Sequence, residues 1–263
     1  MVQTNFHSFR AMHQTGLLRL PNAWDVGSAL LMERLGARAI ATTSAGVAWA
    51  AGYADGNRMP ADLVVVIADA IARLVKVPLS VDIEGGYSAE PRDVGHLAVR
   101  LAEVGVVGVN LEDASEPPEL LARKIEAVKT ALAGTGLDVF VNARTDVYLA
   151  GLVDPSRRVA EVLNRVKVYE EAGADGLFVP AILALTEIRQ VAQASNLPLN
   201  VLSWDGLPAP EELEAAGVRR LSAGSGISAR VWTQAETLAR QFLDVGELTG
   251  TPKPYGDMQK LFI

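Results

Sequence analysis

The sequence predicts a single eight-stranded β/α barrel, a (β/α)8 TIM barrel covering residues 1–263, and two observations carry that prediction. One phrase recurs along the chain: an amphipathic run, a glycine among small residues, then four to six apolar residues that end in polar ones. It stands as MERLGARAIATTS, LAEVGVVGVNLEDA, EEAGADGLFVPA and LEAAGVRRLSAGS. Glycine accepts the left-handed conformation that closes a helix, and a parallel strand is apolar on both faces, so each copy reads as a helix followed by a buried strand. The length of 263 residues is the second observation, because a barrel of this kind needs about 250.

The strands are expected near 17–21, 38–43, 78–83, 106–111, 138–143, 176–179, 198–202 and 219–223, with helices between them. The first apolar run ends at Asn22-Ala23-Trp24-Asp25, the second at Thr42-Thr43-Ser44 and the third at Asp82-Ile83-Glu84. The fourth reaches Asn110-Leu111-Glu112-Asp113 and the fifth Asn142-Ala143-Arg144-Thr145-Asp146. Pro180, Ser203-Trp204-Asp205 and Ser222-Ala223-Gly224 follow the last three. An open doubly wound sheet is the alternative, but it often carries a glycine fingerprint after its first strand, where this chain has LPNAWDVGSA. In a barrel the active site lies at these strand ends.

Composition narrows the function. Hydrophobic residues make up 49% of the chain, enough for a large core without disulfides. With 31 acidic and 24 basic residues the net charge is −7, which speaks against nucleic acid and anionic membranes and leaves small molecules as the expected partners. The lack of cysteine excludes disulfides, thiolate zinc sites and a cysteine nucleophile, and fits a reducing cytoplasm. The first residues, MVQTNFHSFRAMHQTG, hold no signal-type apolar run, and the stretch LVVVIADAIARLV is broken by Asp69 and Arg73, so no membrane segment is expected. Near the end, TGTPKPYGD reads as a tail or a docking arm.

Elimination narrows the chemistry further. The histidines, His7, His13 and His96, fall in the N-terminal segment and in a helix, away from the strand ends, so a Ser-His-Asp relay is not expected. The lysines, at 76, 124, 129, 167, 253 and 260, fall in helices, before a strand or in the tail, which argues against a Schiff base. What remains is Asp82 with Glu84, Glu112 with Asp113, and Arg144. Carboxylates packed together repel or take up protons, and a divalent cation resolves the conflict; oxygen-only ligands favour Mg2+ or Mn2+. Arg144 adds a planar fork suited to a substrate carboxylate. Metal and arginine together suggest a 2-oxo acid, chelated through its keto and carboxylate oxygens so that an enolate is stabilised when a bond to C3 breaks.

Structural roles compete with these. Strand-end carboxylates also cap the next helix or pair with arginines at the mouth, and for Asp113, Asp146 and Asp205 that reading is preferred. Trp24 and Trp204 read either as packing at the mouth or as substrate walls. TTSAGVAWAAGYADGNRMP reads either as a plain loop or as a source of backbone amides for an anion.

The segments SAGVAWAAGYADG, SVDIEGGY, VNLEDA and VNARTD, in this order and spacing, resemble the isocitrate lyase and phosphoenolpyruvate mutase superfamily, especially its smaller phosphonomutase-like members. The resemblance runs from LPNAWD to SAGSG. It implies that Asp82 contacts Mg2+ directly while Glu84, Glu112 and Asp55 hold metal-bound waters. It also implies that Arg144 and the backbone at Thr43, Ser44 and Ala45 bind the substrate carboxylate; Trp24 and Asp82 join that substrate-binding set, and Asp55, Glu112 and Arg144 form the catalytic set. Two departures matter. The family's lyases carry a Lys-Cys-Gly-His loop and its mutases a long lysine-bearing loop after strand four, whereas here Glu112-Asp113 runs directly into ASEPPELLARKIEAVK; and Glu84 stands where an aspartate is common. The expected function is a magnesium-dependent lyase or hydrolase for an oxaloacetate-, 2-oxoglutarate- or phosphonopyruvate-like acid; the alternative is a barrel that binds such an acid without turnover. The resemblance further implies a homodimer or homotetramer, often built by exchange of a C-terminal helix; the segment after Gly226, with Trp232, Leu238, Phe242 and Leu243 as an apolar stripe, reads either as that exchanged helix or as an ordinary eighth barrel helix.

Overall fold

In a computed structural model, which describes residues 2–262, the chain forms the expected barrel. Helix α1 (Val2–Ala11) closes its N-terminal end, where Phe9 is fully buried and sits edge-on to Phe140. Strands β1 (Leu18–Leu20) and β2 (Asn22–Ala23) are two halves of the first barrel strand, divided at Pro21, which has no N–H to donate. The first half pairs with the last strand and the second with β3 (Ile40–Thr42), so the sheet closes on itself, all parallel.

Helix α2 (Val26–Arg34) starts in a capping box: the Ser28 amide donates to Asp25 Oδ1 at 2.7 Å and the Asp25 amide to Ser28 Oγ at 3.1 Å. After β3 come the short α3 (Ser44–Ala50) and α4 (Ala61–Ala72), then β4 (Leu79–Asp82), α5 (Pro91–Glu103), β5 (Gly108–Glu112) and α6 (Pro118–Leu132). The second half holds β6 (Phe140–Arg144), a single π-helical turn at Val147–Gly151, α7 (Arg158–Glu171), β7 (Gly176–Val179), α8 (Leu185–Ala194), β8 (Leu199–Leu202), α9 (Pro210–Ala215) and β9 (Val218–Ser222). Two helices follow the barrel, α10 (Gly226–Val245) and α11 (Tyr255–Gln259), the latter in the segment read as a tail. Each observed strand end lies within two residues of its expected position.

One expectation is corrected. The strands are not apolar on both faces: Val81, Val109, Leu111, Val141, Leu177 and Val201 are buried in the apolar clusters, but Asn22, Ser80, Asn110, Asn142, Asn200, Arg220 and Ser222 are buried as well. Arg220 on β9 reaches Asn110 on β5 and Ser222 reaches Asn200, contacts that run through the interior. Alternation along a strand sends these polar groups inward while the valines and leucines meet the helices.

Helices α5 and α6, which carry the loops beside the site, approach closely because of Gly95. A Cβ there would lie 2.7 Å from the Ala127 carbonyl oxygen. Gly95→Ala raises helix propensity by about 1 kcal/mol, but overpacking against fixed backbone costs about 1–3 kcal/mol. The variant is therefore expected to unfold at lower urea concentration with an unchanged m-value; a higher midpoint would refute the close approach.

Candidate active site

The ends of β4, β5 and β6 bring the main acidic candidates together. Asp82 closes β4, and its carboxylate is held from two sides: Oδ1 accepts from the Glu84 amide at 3.1 Å, and Oδ2 from Asn110 Nδ2 at 3.1 Å. Burial raises its pKa; Arg144, the Glu84 amide and Asn110 oppose the rise, and Asp55 adds to it. Glu84 sits on a turn in which Glu84, Gly86 and Tyr87 all have positive φ, at +50°, +89° and +56°. That backbone is stapled by Asn57, whose Oδ1 accepts from the Gly85 amide at 3.2 Å and the Tyr87 amide at 3.1 Å while its own amide donates to Glu84 Oε2. Lys124 Nζ donates to the Gly85 carbonyl from α6.

Asn57 lies two residues after Asp55 on an exposed loop, so the same staple brings Asp55 near Asp82 and Glu84. Glu84 Oε1 and the Tyr87 hydroxyl are both buried with no hydrogen bond of normal length, but they lie close enough for the hydroxyl to help hold the Glu84 carboxyl down. Burial raises the Glu84 carboxyl, the Asn57 amide opposes this, and Asp55 and Asp82 add to the rise.

Glu112 and Arg144 are register partners on β5 and β6, and Arg144 Nη1 lies 2.6 Å from Glu112 Oε2. Burial pushes Glu112 up to about 8; Arg144 pulls against this, and Asp82, Asp146 and Glu84 push further. Burial works against the Arg144 charge, but Glu112, Asp146 and Asp82 more than offset it. The other edge of the guanidinium is filled: Nε and Nη2 donate to Asp146 Oδ1 and Oδ2 at 2.7 and 2.9 Å. The part of Arg144 turned to the site is therefore Nη1, shared with Glu112.

The structural readings of Asp113 and Asp146 fit these contacts. Asp113 accepts from Arg165 Nη1 at 2.8 Å, from the Tyr169 hydroxyl and from the Asp146 amide at 3.0 Å. Asp205 and Trp204 are exposed, beside a 550 Å3 cavity at the mouth. Thr43 caps α3 and donates its amide to the Ala23 carbonyl, while Ser44, Ala45 and Gly46 begin the helix with amides that have no acceptor inside it. Ser44 lines a small cavity with Thr42, Asp82 and Tyr87, which brings it to the same site. Trp24 packs over this turn: a Cβ on Gly46 would come within 3.0 Å of Trp24 Cβ. Beside Glu112, a 410 Å3 cavity lies between the loops after β4 and β5 and is lined by Asn57, Tyr87, Ser88, Ser115 and Lys124. The loop between β5 and α6 is as short as the sequence implied, residues 113–117.

Among the described residues, no three His, Cys, Asp or Glu side chains are arranged as a direct metal cage. Magnesium seldom requires one, since it keeps several waters and takes one or two carboxylates directly. The donor set at Asp82, Glu84 and Glu112 is all oxygen, its carboxyls are raised by burial, and Glu84 Oε1 has no hydrogen bond of normal length; these features fit a hydrated divalent cation.

Sequence reasoning missed Asn57, Tyr87, Asn110 and Arg220. A signal for Asn110 was present: Asn22, Asn110, Asn142 and Asn200 each stand two residues before Trp24, Glu112, Arg144 and Leu202, at or just past the strand ends, and a period of two puts them one layer below the mouth. Asn57 and Tyr87 act through loop backbone, which leaves no periodicity to read.

The family model described as phosphoenolpyruvate phosphomutase matches residues 9–243. An uncharacterized protein of Mycobacterium tuberculosis is 38% identical over 259 residues, 96% of this chain and 95% of that protein. A 2-methylisocitrate lyase of Bacillus subtilis is 28% identical over 203 residues, 72% of this chain and 64% of the lyase. In structure, phosphoenolpyruvate phosphomutase from Streptomyces platensis subsp. rosaceus superposes with a TM-score of 0.86 at 22% identity, covering 98% of this chain and 93% of that one, a likeness of fold. With its barrel closed, its acidic strand ends in place and the family model spanning nearly its full length, the chain belongs to the phosphoenolpyruvate phosphomutase family, within the phosphoenolpyruvate mutase/isocitrate lyase superfamily.

Proposed function

We propose that the chain is a magnesium-dependent lyase or hydrolase that breaks a bond to C3 of a small 2-oxo acid through an enolate-type intermediate. The observation that carries this reading is the buried group formed by Asp82, Glu84, Glu112 and Arg144 at adjacent strand ends, with carboxyls that crowd one another and a guanidinium beside them. Asp82 would hold Mg2+ (or Mn2+) directly, and Glu84, Glu112 and Asp55 through waters. When bound, the cation supplies a Lewis acid for the keto oxygen and the developing enolate.

The remaining work falls to the chain. Arg144 Nη1 and the amides of Ser44 and Ala45, with Thr43 fixing the turn, bind the substrate carboxylate; Trp24 walls the mouth on that side. With no cation bound, burial pushes the Glu112 carboxyl up to about 8, so it can hold or release a proton near neutral pH. The 410 Å3 cavity beside it leaves room for the part of the acid beyond C3.

A second reading, binding without turnover, is favoured by the five-residue loop 113–117 and by the Asp146 fork on Arg144. A five-residue loop is too short to fold over the site as a lid, although it sets Glu116 at the cavity beside Glu112, and a pre-paired guanidinium has one free edge fewer.

We also infer a homodimer or homotetramer that exchanges α10. Ser228 is its one buried residue among those described, while Trp232, Phe242 and Leu243 are 52%, 54% and 82% exposed. The outer face of β1 and β9 is left as a groove lined by Arg19, Pro21, Pro210 and Leu221. An apolar helix stripe and an uncovered strand pair complement each other.

Three outcomes are expected. With Mg2+, proton NMR of a panel containing oxaloacetate, 2-oxoglutarate, phosphonopyruvate and methylisocitrate shows turnover of one acid, reduced about 100-fold or more in Asp82→Ala; Mg2+-dependent line broadening without product would select the binding reading. For protein stripped of divalent ions, the raised Glu112 value means that the native state binds more protons than the unfolded state between about pH 4.5 and about pH 8, so this group lowers stability as pH rises through that window. Glu112→Gln should therefore gain on the parent by on the order of a few kcal/mol across that window in chemical denaturation, and a flat difference would contradict the assignment. Sedimentation should show an oligomer that falls to a single chain in Trp232→Glu/Leu243→Glu; a monomeric parent removes the helix exchange.

A further inference from the structure

Arg220 sits in β9 with its guanidinium wholly inside the barrel. Among the described residues no carboxylate forms an ion pair with it. Nη2 donates to Asn110 Oδ1 at 3.2 Å, Nε lies 3.4 Å from Ser222 Oγ, and Nη1 is buried without a partner. An unpaired buried charge is strongly unfavourable, and burial drives this guanidinium down to about 9, with the Asp82 charge partly offsetting the loss. At the barrel floor the carboxylate near His13, Asp175, is already paired with Arg10 and Lys129 and forms no ion pair with Arg220. His13 stacks on Phe140 there, its Nδ1 bonded to the Phe9 carbonyl, and burial together with Arg220 pushes it down to about 3, so it is neutral.

Asn110 connects the cation to the strand ends. Its Oδ1 accepts from Arg220 Nη2 and, at 2.9 Å, from Asn142 Nδ2, while its Nδ2 donates to Asp82 Oδ2 at 3.1 Å. A primary amide can present either its oxygen or its nitrogen to a neighbour. Two donors converging on Oδ1 remove that choice and leave Nδ2 for the carboxylate. We propose that Arg220 is a positioning residue for Asp82: acting through Asn110, it fixes the orientation of the Asp82 carboxylate from within the barrel. The proposal rests on the reading above, in which Asp82 is the centre of the site, and it accounts for a buried guanidinium that no ion pair explains.

The test uses the full chain and three single variants: Arg220→Met, which keeps the length and removes the charge; Arg220→Lys, which keeps the charge; and Asn110→Ala. One probe is Mn2+ alone, followed by the paramagnetic resonance of the free ion. Loss of an outer partner of a metal ligand typically costs 10–100-fold in affinity, so Arg220→Met and Asn110→Ala should each weaken Mn2+ binding by about that factor. Arg220→Lys should recover part of it, and the Arg220→Met/Asn110→Ala double variant should lose no more than either single one, as for residues acting in series. A folded Arg220→Met that binds Mn2+ like the parent, or additive losses, overturns the proposal. If Arg220→Met does not fold, Asn110→Ala decides alone, with parental affinity refuting the relay.

The second probe is the 15N-resolved side-chain amide of Asn110, which should exchange slowly in the parent and faster in either Arg220 variant. Should the parent bind no Mn2+, the metal reading of Asp82 fails while this signal still judges the relay: unchanged exchange in the Arg220 variants overturns it.

Discussion

Burial of carboxylate charge at the ends of β4 and β5 shapes the mouth of this barrel. Asp82, Glu84 and Glu112 are packed at the ends of β4 and β5, with Asp146 and Asp55 nearby, and every resolved shift among the first three is upward with burial as the main cause. Against them the barrel sets Arg144 at the mouth and Arg220 one layer below. Two guanidiniums cannot neutralise that many carboxylates, and one of the two is largely consumed by Asp146. Such a site settles by keeping protons or by taking up a cation. Both routes matter for chemistry near neutral pH.

Holding this arrangement requires backbone that ordinary loops avoid. Positive φ at Asn57, Glu84 and Tyr87, none of them glycine, is the geometry of a loop fixed from outside. Asn57 does this by bonding two amides of the turn with one side-chain oxygen, and Lys124 anchors the Gly85 carbonyl from α6. Since α6 is itself set against α5 by the close approach at Gly95, helix packing on the outside of the barrel is tied to the placement of Glu84 at its mouth. The length of the Glu84 side chain fits this scheme. Its Oε2 reaches the Asn57 amide, a loop contact, and Oε1 is left near the Tyr87 hydroxyl with no hydrogen bond of normal length.

The fold was legible because strand and helix alternate with glycine-closed helices, a pattern that depends on local chemistry alone. The carboxylates and Arg144 were legible for a related reason: they follow apolar runs, and the ends of parallel strands gather in space. What stayed hidden depended on long-range pairing. Arg220 stands beside Arg219 in the sequence, and nothing local says that one is fully buried while the other is not. Only closure of the barrel brings β9 opposite β5 and makes Arg220 a neighbour of Asn110. Asp146 was legible as a partner for an arginine, but not as the fork that narrows Arg144 to one substrate-facing nitrogen.

The short β5–α6 loop bears on which bond such a site could break. Cleavage that expels a carbonyl fragment needs a base for the departing hydroxyl proton, and hydrolysis needs an activated water; both ask for a positioned group beyond the enolate site. Decarboxylation asks for less, because carbon dioxide leaves without taking a proton and the enolate then needs a single proton at C3. Within the proposed function, Glu112 is the group placed for that one transfer, with Arg144 Nη1 beside it to stabilise its charged form. A barrel with so short a β5–α6 loop is thus better matched to a reaction whose fragment leaves without a proton transfer than to those that need a further base or an activated water.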